Sequence, residues 1–215
     1  MVYAVKEIFF SLQGEGAQAG RPAVFCRFAG CNLWSGLEKD RASAACTFCD
    51  TDFVGTDGQN GGKYQTAQEL ADTLASFWPA PDDMADAYIV FTGGEPLLQL
   101  DEELLAAMKR HGFETAVETN GTLPAPDGLD WICVSPKPNS EIVQTRGHEL
   151  KFVYPQETLS PDAFAEMDFE HFYLQPMEVT DEAQMAHHVQ ASIAYCLQNP
   201  QWRLSLQTHK ILGLD

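Results

Sequence analysis

The chain has 215 residues, of which 45% are hydrophobic and 20% charged, and its formal net charge is −18. This length and composition are typical of one globular domain with a substantial core, and the acidic charge argues against a nucleic-acid-binding surface. No run approaches the roughly 18 apolar residues of a transmembrane helix and no signal peptide is apparent, which predicts a cytoplasmic protein without membrane contact and with reduced cysteines.

Short apolar strand patterns alternate with helical patterns along the chain. We predict strands at 23–30, 87–93, 114–119, 130–135, 149–154, 171–175 and 202–208. Thr66 and Glu69 form a capping box, Asp101 can cap a second helix, Ser160-Pro161 begins a third, and 180–199 is the longest. This alternation predicts an α/β fold with a mostly parallel sheet, whose functional groups collect at the carboxyl ends of the strands.

Three of the six cysteines follow the first predicted strand with the spacing C-x14-C-x2-C: Cys31, Cys46 and Cys49. Thiolates bind zinc or iron–sulfur clusters, and a structural zinc site usually has four protein ligands. A [4Fe–4S] cluster held by only three cysteines leaves one iron open to a substrate or cofactor. On these residues alone, zinc, three unrelated thiols and an open cluster all remain as alternatives. The other cysteines, Cys26, Cys133 and Cys196, are predicted to be buried apolar residues.

The cysteine trio, the aromatic Phe48 before its last member, and "GGEP" at 93–96 together resemble the radical S-adenosylmethionine (radical SAM) superfamily. The resemblance implies a [4Fe–4S] cluster on the three cysteines, with S-adenosyl-L-methionine chelated to the open iron. It also implies a single radical SAM domain over 1–215, folded as an incomplete TIM-like barrel of mostly parallel strands with outer helices. The first gap departs from the superfamily's usual C-x3-C-x2-C spacing, and we expect 32–45 to be a loop insertion.

A narrower resemblance covers nearly the whole chain. The segments "FFSLQGEG" (9–16), "RPAVFCRFAGCNLW" (21–34), "CDT" (49–51), "TGGEP" (92–96), "ETNGT" (118–122), "SPKP" (135–138) and "YLQPME" (173–178) are similar to the 7-carboxy-7-deazaguanine synthase family. That family implies a carbon–nitrogen lyase of queuosine biosynthesis, which converts 6-carboxy-5,6,7,8-tetrahydropterin to 7-carboxy-7-deazaguanine with loss of ammonia. A deoxyadenosyl radical removes hydrogen from substrate C6, the ring contracts, and hydrogen is returned to the cofactor. Mg²⁺, a homodimer and an external flavodoxin-like one-electron reductant are also implied.

The resemblance further implies roles for individual residues. Thr51 would bind Mg²⁺ beside the cluster. The predicted cofactor-binding residues are Thr47, Phe48, Cys49, Asp50, Gly94, Glu95, Glu118, Ser135, Pro136, Lys137, Gln175, Pro176, Met177 and Glu178. The predicted substrate-binding residues are Leu12, Gln13, Gly14, Glu15, Arg27, Thr92 and Asp215. Arg27 suits a bidentate clamp on the substrate carboxylate. No side chain is expected to be catalytic, because the cofactor carries the radical.

Two other functions stay open on the sequence. A glycyl-radical activating enzyme would use the same cysteine trio and "GGEP" on a partner protein, although "LQGEG", "SPKP" and Arg27 favour a small anionic pterin. A zinc-stabilised binding module without catalysis would contain zinc and no acid-labile sulfide.

Overall fold

The computed structural model describes residues 2–80 and 82–214. Its strands are β1 (Tyr3–Leu12), β2 (Pro22–Phe28), β3 (Gly62–Tyr64), β4 (Tyr88–Gly93), β5 (Glu114–Thr119), β6 (Trp131–Val134), β7 (Arg146–Tyr154), β8 (Asp168–Pro176) and β9 (Trp202–Leu204). They form one sheet in the order β3-β1-β2-β4-β5-β6-β7-β8-β9. Strands β2 and β4 to β9 run parallel, and β1 pairs antiparallel with both β2 and β3. The predicted mostly parallel, open barrel is confirmed.

The helices of the described residues are α1 (Ala67–Ala75), α2 (Glu102–Arg110), α3 (Glu182–Gln198) and α4 (Thr208–Leu212). The first three begin where a side chain accepts a hydrogen bond from one of the first backbone N–H groups, whereas α4 has no such cap. The N-caps are Thr66, which accepts from Glu69 N at 3.1 Å, Asp101, which accepts from Leu104 N at 3.0 Å, and Asp181, which accepts from Gln184 N at 2.7 Å. Ser160 also caps as predicted, but the helix that it begins is a short 3₁₀ helix, Pro161–Phe164.

The two faces of the sheet have different surroundings. Alternate residues of β1 and β2, such as Ile8 and Val24, pack against α1 and α2. The intervening residues Phe9 and Phe25 face the other way, into the interior of the partial barrel. Arg27 follows Phe25 at a period of two, and therefore continues this inner face toward the carboxyl end of β2. The inner face is thus apolar at one end and polar at the other.

Three parts of the strand prediction were wrong. The prediction missed the three-residue strand β3, and it missed β1, where the register with β2 shifts between Val5 and Glu7 and the buried Lys6 interrupts the apolar pattern. The strand predicted at 202–208 ends at Leu204. Beyond it, the Thr208 backbone N–H and hydroxyl both donate to the Gly14 carbonyl oxygen, at 2.9 Å each, and the chain turns into α4. Within the described ranges, no helix has the length and apolarity needed to cross a membrane.

Candidate active site

The carboxyl ends of the parallel strands surround a cavity of about 380 Å³. Its wall includes six of the predicted substrate-binding residues: Leu12, Gln13, Gly14, Glu15, Arg27 and Thr92. The predicted cofactor-binding residues and Thr51 line the same cavity, except for Thr47, Glu95 and Pro136. Asp215 lies outside the described residues. The structure therefore brings most of the predicted site into one space, while the role of each residue remains a prediction.

The insertion between Cys31 and Cys46, residues 32–45, folds into a loop whose two ends lie next to each other. Ala45 N donates to the Leu33 carbonyl oxygen at 3.1 Å and closes the base of the loop. Within it, residues Glu38–Ser43 form a 3₁₀ helix. Because this hydrogen bond joins the two ends of the loop, Cys46 follows closely in space on Cys31 although fourteen residues separate them in sequence.

Cys49 lines the cavity, whereas Cys31 and Cys46 are not among its lining residues. The three thiols nevertheless lie close enough to affect one another electrostatically. Burial is the main cause that raises the pKa of the Cys31 thiol, and Cys49 adds electrostatic repulsion. Burial also comes first in raising the pKa of Cys46, which is 4% exposed, with further repulsion from Cys49 and Cys31. Among the described residues, no group of three or more His, Cys, Asp or Glu side chains is arranged to hold a single metal ion. Cysteine thiolates are the usual ligands of a four-iron cluster, so the chemistry of this donor set fits one.

Gly94 lets the "GGEP" loop approach the cysteine segment. A Cβ added to Gly94 would collide with the Gly30 carbonyl oxygen and come within 2.8 Å of the Cys31 Cβ. The Glu95 N–H donates to the same Gly30 carbonyl at 2.9 Å. A side chain at position 94 would therefore push the two loops apart, and glycine leaves backbone groups exposed beside the cysteines.

The Glu95 carboxylate lies behind the cavity wall and joins two strand ends. It is fully buried and accepts hydrogen bonds from Leu97 N at 2.9 Å, Thr119 Oγ1 at 2.7 Å and Asn120 N at 2.8 Å. Burial raises its pKa in spite of these donors. In this structure Glu95 holds β4 against β5, and the neighbouring glycines rather than its side chain face the cavity.

Arg27 presents its guanidinium to the cavity from the end of β2. Its Nε donates to Glu7 Oε1 at 2.7 Å, and the group lies 6.0 Å from the centre of the Phe9 ring. Among the described residues, its two terminal nitrogens have no hydrogen-bond acceptor. The anchored Nε fixes the plane of the fork, which leaves a geometry suited to a ligand carboxylate.

A buried cation was missed by the sequence analysis. Lys151 is 4% exposed and donates to Glu15 Oε2 at 2.5 Å and to Glu118 Oε2 at 3.4 Å. Gln175 and Gln207 each donate to Glu15 Oε1 at 3.0 Å, and Gln13 donates to Glu118 at 2.9 Å. A lysine within the apolar strand pattern "ELKFVY" was the signal that could have identified it.

This network keeps its charged groups ionised. Burial acts to raise the pKa of Glu15, but the charge and hydrogen bond of Lys151 outweigh it and lower that pKa overall. Burial acts to lower the pKa of Lys151, and the carboxylates Glu118 and Glu15 reverse that effect, so its pKa is raised. The cavity therefore contains a carboxylate, Glu15, that stays anionic although it is largely removed from water.

Lys151→Met should lower the unfolding free energy of the protein by about 3 kcal/mol near neutral pH, because it leaves a buried carboxylate without its partner. The pKa of Glu15 is lower in the folded protein than in the unfolded chain. The ion pair therefore stabilises the fold at pH values above the pKa of an ordinary carboxyl group, and this stabilisation is lost as the pH falls through the pKa of Glu15 in the folded protein. The difference between wild type and Lys151→Met in urea unfolding should therefore shrink in acid. Lys151→Arg keeps the charge and is the control. A penalty independent of pH would contradict this assignment.

The C-terminal helix α4 closes one side of the cavity, which the sequence analysis did not predict. Gln207, His209 and Lys210 line the cavity, and a Cβ on Gly14 would collide with the His209 ring. Lys210 bonds Asp50 at 2.6 Å and also contacts Glu178. Lys210 therefore links the segment that follows Cys49 to the segment that follows β8, and so places two predicted cofactor-binding segments side by side.

Comparisons with known proteins identify relatives of this chain. Residues 41–134 match the family model of the radical SAM superfamily. The chain is 65% identical to a 7-carboxy-7-deazaguanine synthase from Bordetella pertussis and 61% identical to one from Caulobacter vibrioides, in each case over 100% of both chains. The crystal structure of QueE from Escherichia coli superposes with a TM-score of 0.70 at 24% identity, covering 96% of this chain and 94% of that one. This last likeness concerns the fold.

Proposed function

This chain belongs to the 7-carboxy-7-deazaguanine synthase family of the radical SAM superfamily, and on that premise we propose that it converts 6-carboxy-5,6,7,8-tetrahydropterin to 7-carboxy-7-deazaguanine. It is a radical SAM lyase, and the reaction contracts the ring and releases ammonia. The observation that carries the proposal is 65% identity over the full length of a relative with that activity in its name. A cavity that is lined by Cys49, Arg27 and an ionised Glu15 supports it.

The family implies a [4Fe–4S] cluster and S-adenosyl-L-methionine, and the chain has residues that fit both. Cys31, Cys46 and Cys49 would hold the cluster, and the Gly94 backbone would lie beside the methionine end of the cofactor. When bound, the two groups supply an electron and a hydrogen-abstracting deoxyadenosyl radical. Lys137 Nζ lies 5.7 Å from the centre of the Phe48 ring and donates to Ser135 Oγ at 2.6 Å. These side chains would form the wall against the nucleoside.

The substrate would be oriented by charge at both ends of the cavity. The terminal nitrogens of Arg27 would clamp the pterin carboxylate, as two parallel hydrogen bonds favour a planar anion. Gln13 and Glu15 would bind the amide and guanidine-like edge of the ring, with Lys151 holding Glu15 in its anionic form. Helix α4 would limit the access of water from its side. The chain's contribution is thus to position substrate C6 and to shield it during the radical reaction.

Magnesium is part of the proposal, with Thr51 as its protein ligand. The neighbouring carboxylates are engaged elsewhere, since Asp50 pairs with Lys210 at 2.6 Å and Asp52 with Lys6 at 2.9 Å. A Thr hydroxyl, the substrate carboxylate and retained waters would complete an oxygen shell of the kind that Mg²⁺ prefers.

Removing Mg²⁺ with EDTA should raise KM for the pterin by about tenfold and leave the cluster intact, because the ion would bridge the protein and the substrate carboxylate. Steady-state kinetics over a range of Mg²⁺ concentrations measure this effect. Thr51→Val should weaken the dependence on Mg²⁺, and Thr51→Ser, which keeps the hydroxyl, should retain it. An identical Mg²⁺ response in wild type and Thr51→Val would rule out Thr51 as the ligand.

The remaining parts of the proposal concern partners and location. An external one-electron reductant of the flavodoxin type would be needed to reduce the cluster. We place the enzyme in the cytoplasm as a homodimer, by analogy with the family. Mass measurement of the native protein in solution tests the dimer.

A turnover assay and a metal analysis separate the alternatives. The reconstituted protein is incubated without oxygen with S-adenosylmethionine, dithionite and carboxytetrahydropterin, and the deazapurine is detected by its absorbance and mass. Its appearance supports the proposal, whereas deoxyadenosine without a pterin product would favour an activating enzyme that acts on another protein. Zinc without acid-labile sulfide in the protein as isolated would favour the non-catalytic module.

A further inference from the structure

The fourteen-residue insertion between Cys31 and Cys46 contains an arginine that contacts the backbone of the C-x2-C segment. Arg41 Nη1 donates to the Thr47 carbonyl oxygen at 3.0 Å and to the Cys49 carbonyl oxygen at 3.1 Å. Both carbonyls belong to the C-x2-C turn, and Cys49 is itself a predicted ligand. One guanidinium nitrogen therefore holds the turn at two points.

The insertion also holds Arg41 rigidly. Its guanidinium lies 4.0 Å from the centre of the Trp34 ring, and its Nε donates to Glu38 Oε2 at 2.8 Å. Trp34 is 8% exposed and packs edge-on against Phe53 at 5.6 Å. The ring, the carboxylate and the two carbonyl groups that contact Arg41 thus all come from nearby residues of the chain. The Arg41 side chain is 28% exposed. Such stacking and directional bonding suit arginine and not lysine.

The contact at Thr47 has a consequence on the other side of the peptide group. The carbonyl of Thr47 and the N–H of Phe48 belong to one planar unit and point in opposite directions. The second contact, at Cys49, is to the carbonyl of the next predicted ligand. Arg41 therefore fixes the backbone on both sides of Phe48, in the turn between Cys46 and Cys49. A cation on the carbonyl both fixes the peptide plane and polarises its N–H.

We propose that Arg41 is a positioning residue for the iron–sulfur cluster, which holds the C-x2-C turn through the Thr47 and Cys49 carbonyls and directs a polarised Phe48 N–H toward the ligand sulfurs. The insertion would then influence the reduction potential of the cluster through Arg41. Hydrogen bonds to ligand sulfurs stabilise the more negative, reduced form of a cluster and raise its reduction potential. This inference rests on the proposed cluster at Cys31, Cys46 and Cys49.

The first test uses the protein without its cluster. In Arg41→Gln the peptide loses its anchor, and amide hydrogen exchange at Phe48 should become about tenfold faster, corresponding to a loss of one hydrogen bond of roughly 1.4 kcal/mol. Lys39→Gln removes the same charge two residues away, from an exposed side chain, and is the matched control. It should leave the exchange rate at Phe48 unchanged.

The second test measures the midpoint potential of the reconstituted cluster by anaerobic titration followed by electron paramagnetic resonance. Arg41→Gln should shift the potential to more negative values than Lys39→Gln, and Arg41→Lys should recover only part of the shift. If Arg41→Gln takes up no cluster, the smaller shift in Arg41→Lys is the one measured.

Two results would overturn the inference: exchange at Phe48 in Arg41→Gln equal to that in Lys39→Gln, or a potential that matches the Lys39→Gln value. Faster release of iron without a change in potential would mean that Arg41 only stabilises the loop, and would overturn it as well. Failure of the wild-type protein to assemble a cluster would instead refute the proposed function, so the two failures are distinguishable.

Discussion

Cys31→Ala should fold normally but contain no stable [4Fe–4S] cluster, and product formation should fall below detection. Cys31 stands at the end of β2, separated from Cys46 by the insertion, and only the closure of that loop returns the chain to it. Two cysteines cannot hold three corners of a cluster. The loss should therefore be nearly complete, and it should appear as iron and acid-labile sulfide per chain after anaerobic reconstitution.

Cys31 is the informative member of the trio because its side chain can be shortened without opening the core. It is partly exposed, whereas Cys46 is buried and its truncation would also disturb packing. Cys196→Ala is the matched control, since that cysteine lies on α3 against the other end of the sheet. Equal cluster content in Cys31→Ala and Cys196→Ala would show that Cys31 is not a ligand.

Arg27→Gln should raise KM for the pterin on the order of 100-fold, with a smaller change in kcat. Two charge-assisted hydrogen bonds to a carboxylate contribute about 3 kcal/mol or more, and tenfold in affinity corresponds to about 1.4 kcal/mol. Arg27→Lys keeps the charge but not the fork, and should lie between wild type and Arg27→Gln. The measurement is steady-state kinetics at saturating S-adenosylmethionine.

The control for Arg27 is Arg203→Gln, which removes an exposed strand arginine on β9. It should leave KM unchanged. Equal KM values in Arg27→Gln and wild type would contradict the carboxylate clamp, and would leave Arg27 with its observed ion pair to Glu7 as a structural role.

Much of the architecture followed from local patterns. Parallel strands that are buried on both faces are nearly continuous apolar runs, so most of them could be predicted from the sequence. Helix starts are marked by short polar side chains and could be predicted in the same way. The rule that functional groups collect at the carboxyl ends of parallel strands placed the "TGGEP", "ETNGT" and "SPKP" segments at one rim. Two strands were missed: β3 has only three residues, and β1 has a bulge and a buried lysine, which together hide its alternation.

The parts of the site that sequence reasoning missed depend on contacts between distant residues. Lys151 and Glu15 are 136 positions apart, and nothing near either residue indicates the other. The same holds for Lys210, whose partner Asp50 lies 160 positions away. Glu95 was predicted from the family resemblance to face the cofactor, but hydrogen bonds from Thr119 and Asn120, 24 and 25 positions away, direct its carboxylate toward the end of β5. Motifs located the site, whereas the direction of each side chain required the fold.

The most direct test of the central claim is anaerobic turnover with S-adenosylmethionine limiting and carboxytetrahydropterin in excess. A 7-carboxy-7-deazaguanine synthase that regenerates its cofactor should form several molecules of product, each with one ammonia, for every S-adenosylmethionine supplied. Deoxyadenosine formed in place of the deazapurine, or no product from a protein with a full [4Fe–4S] cluster, would contradict it.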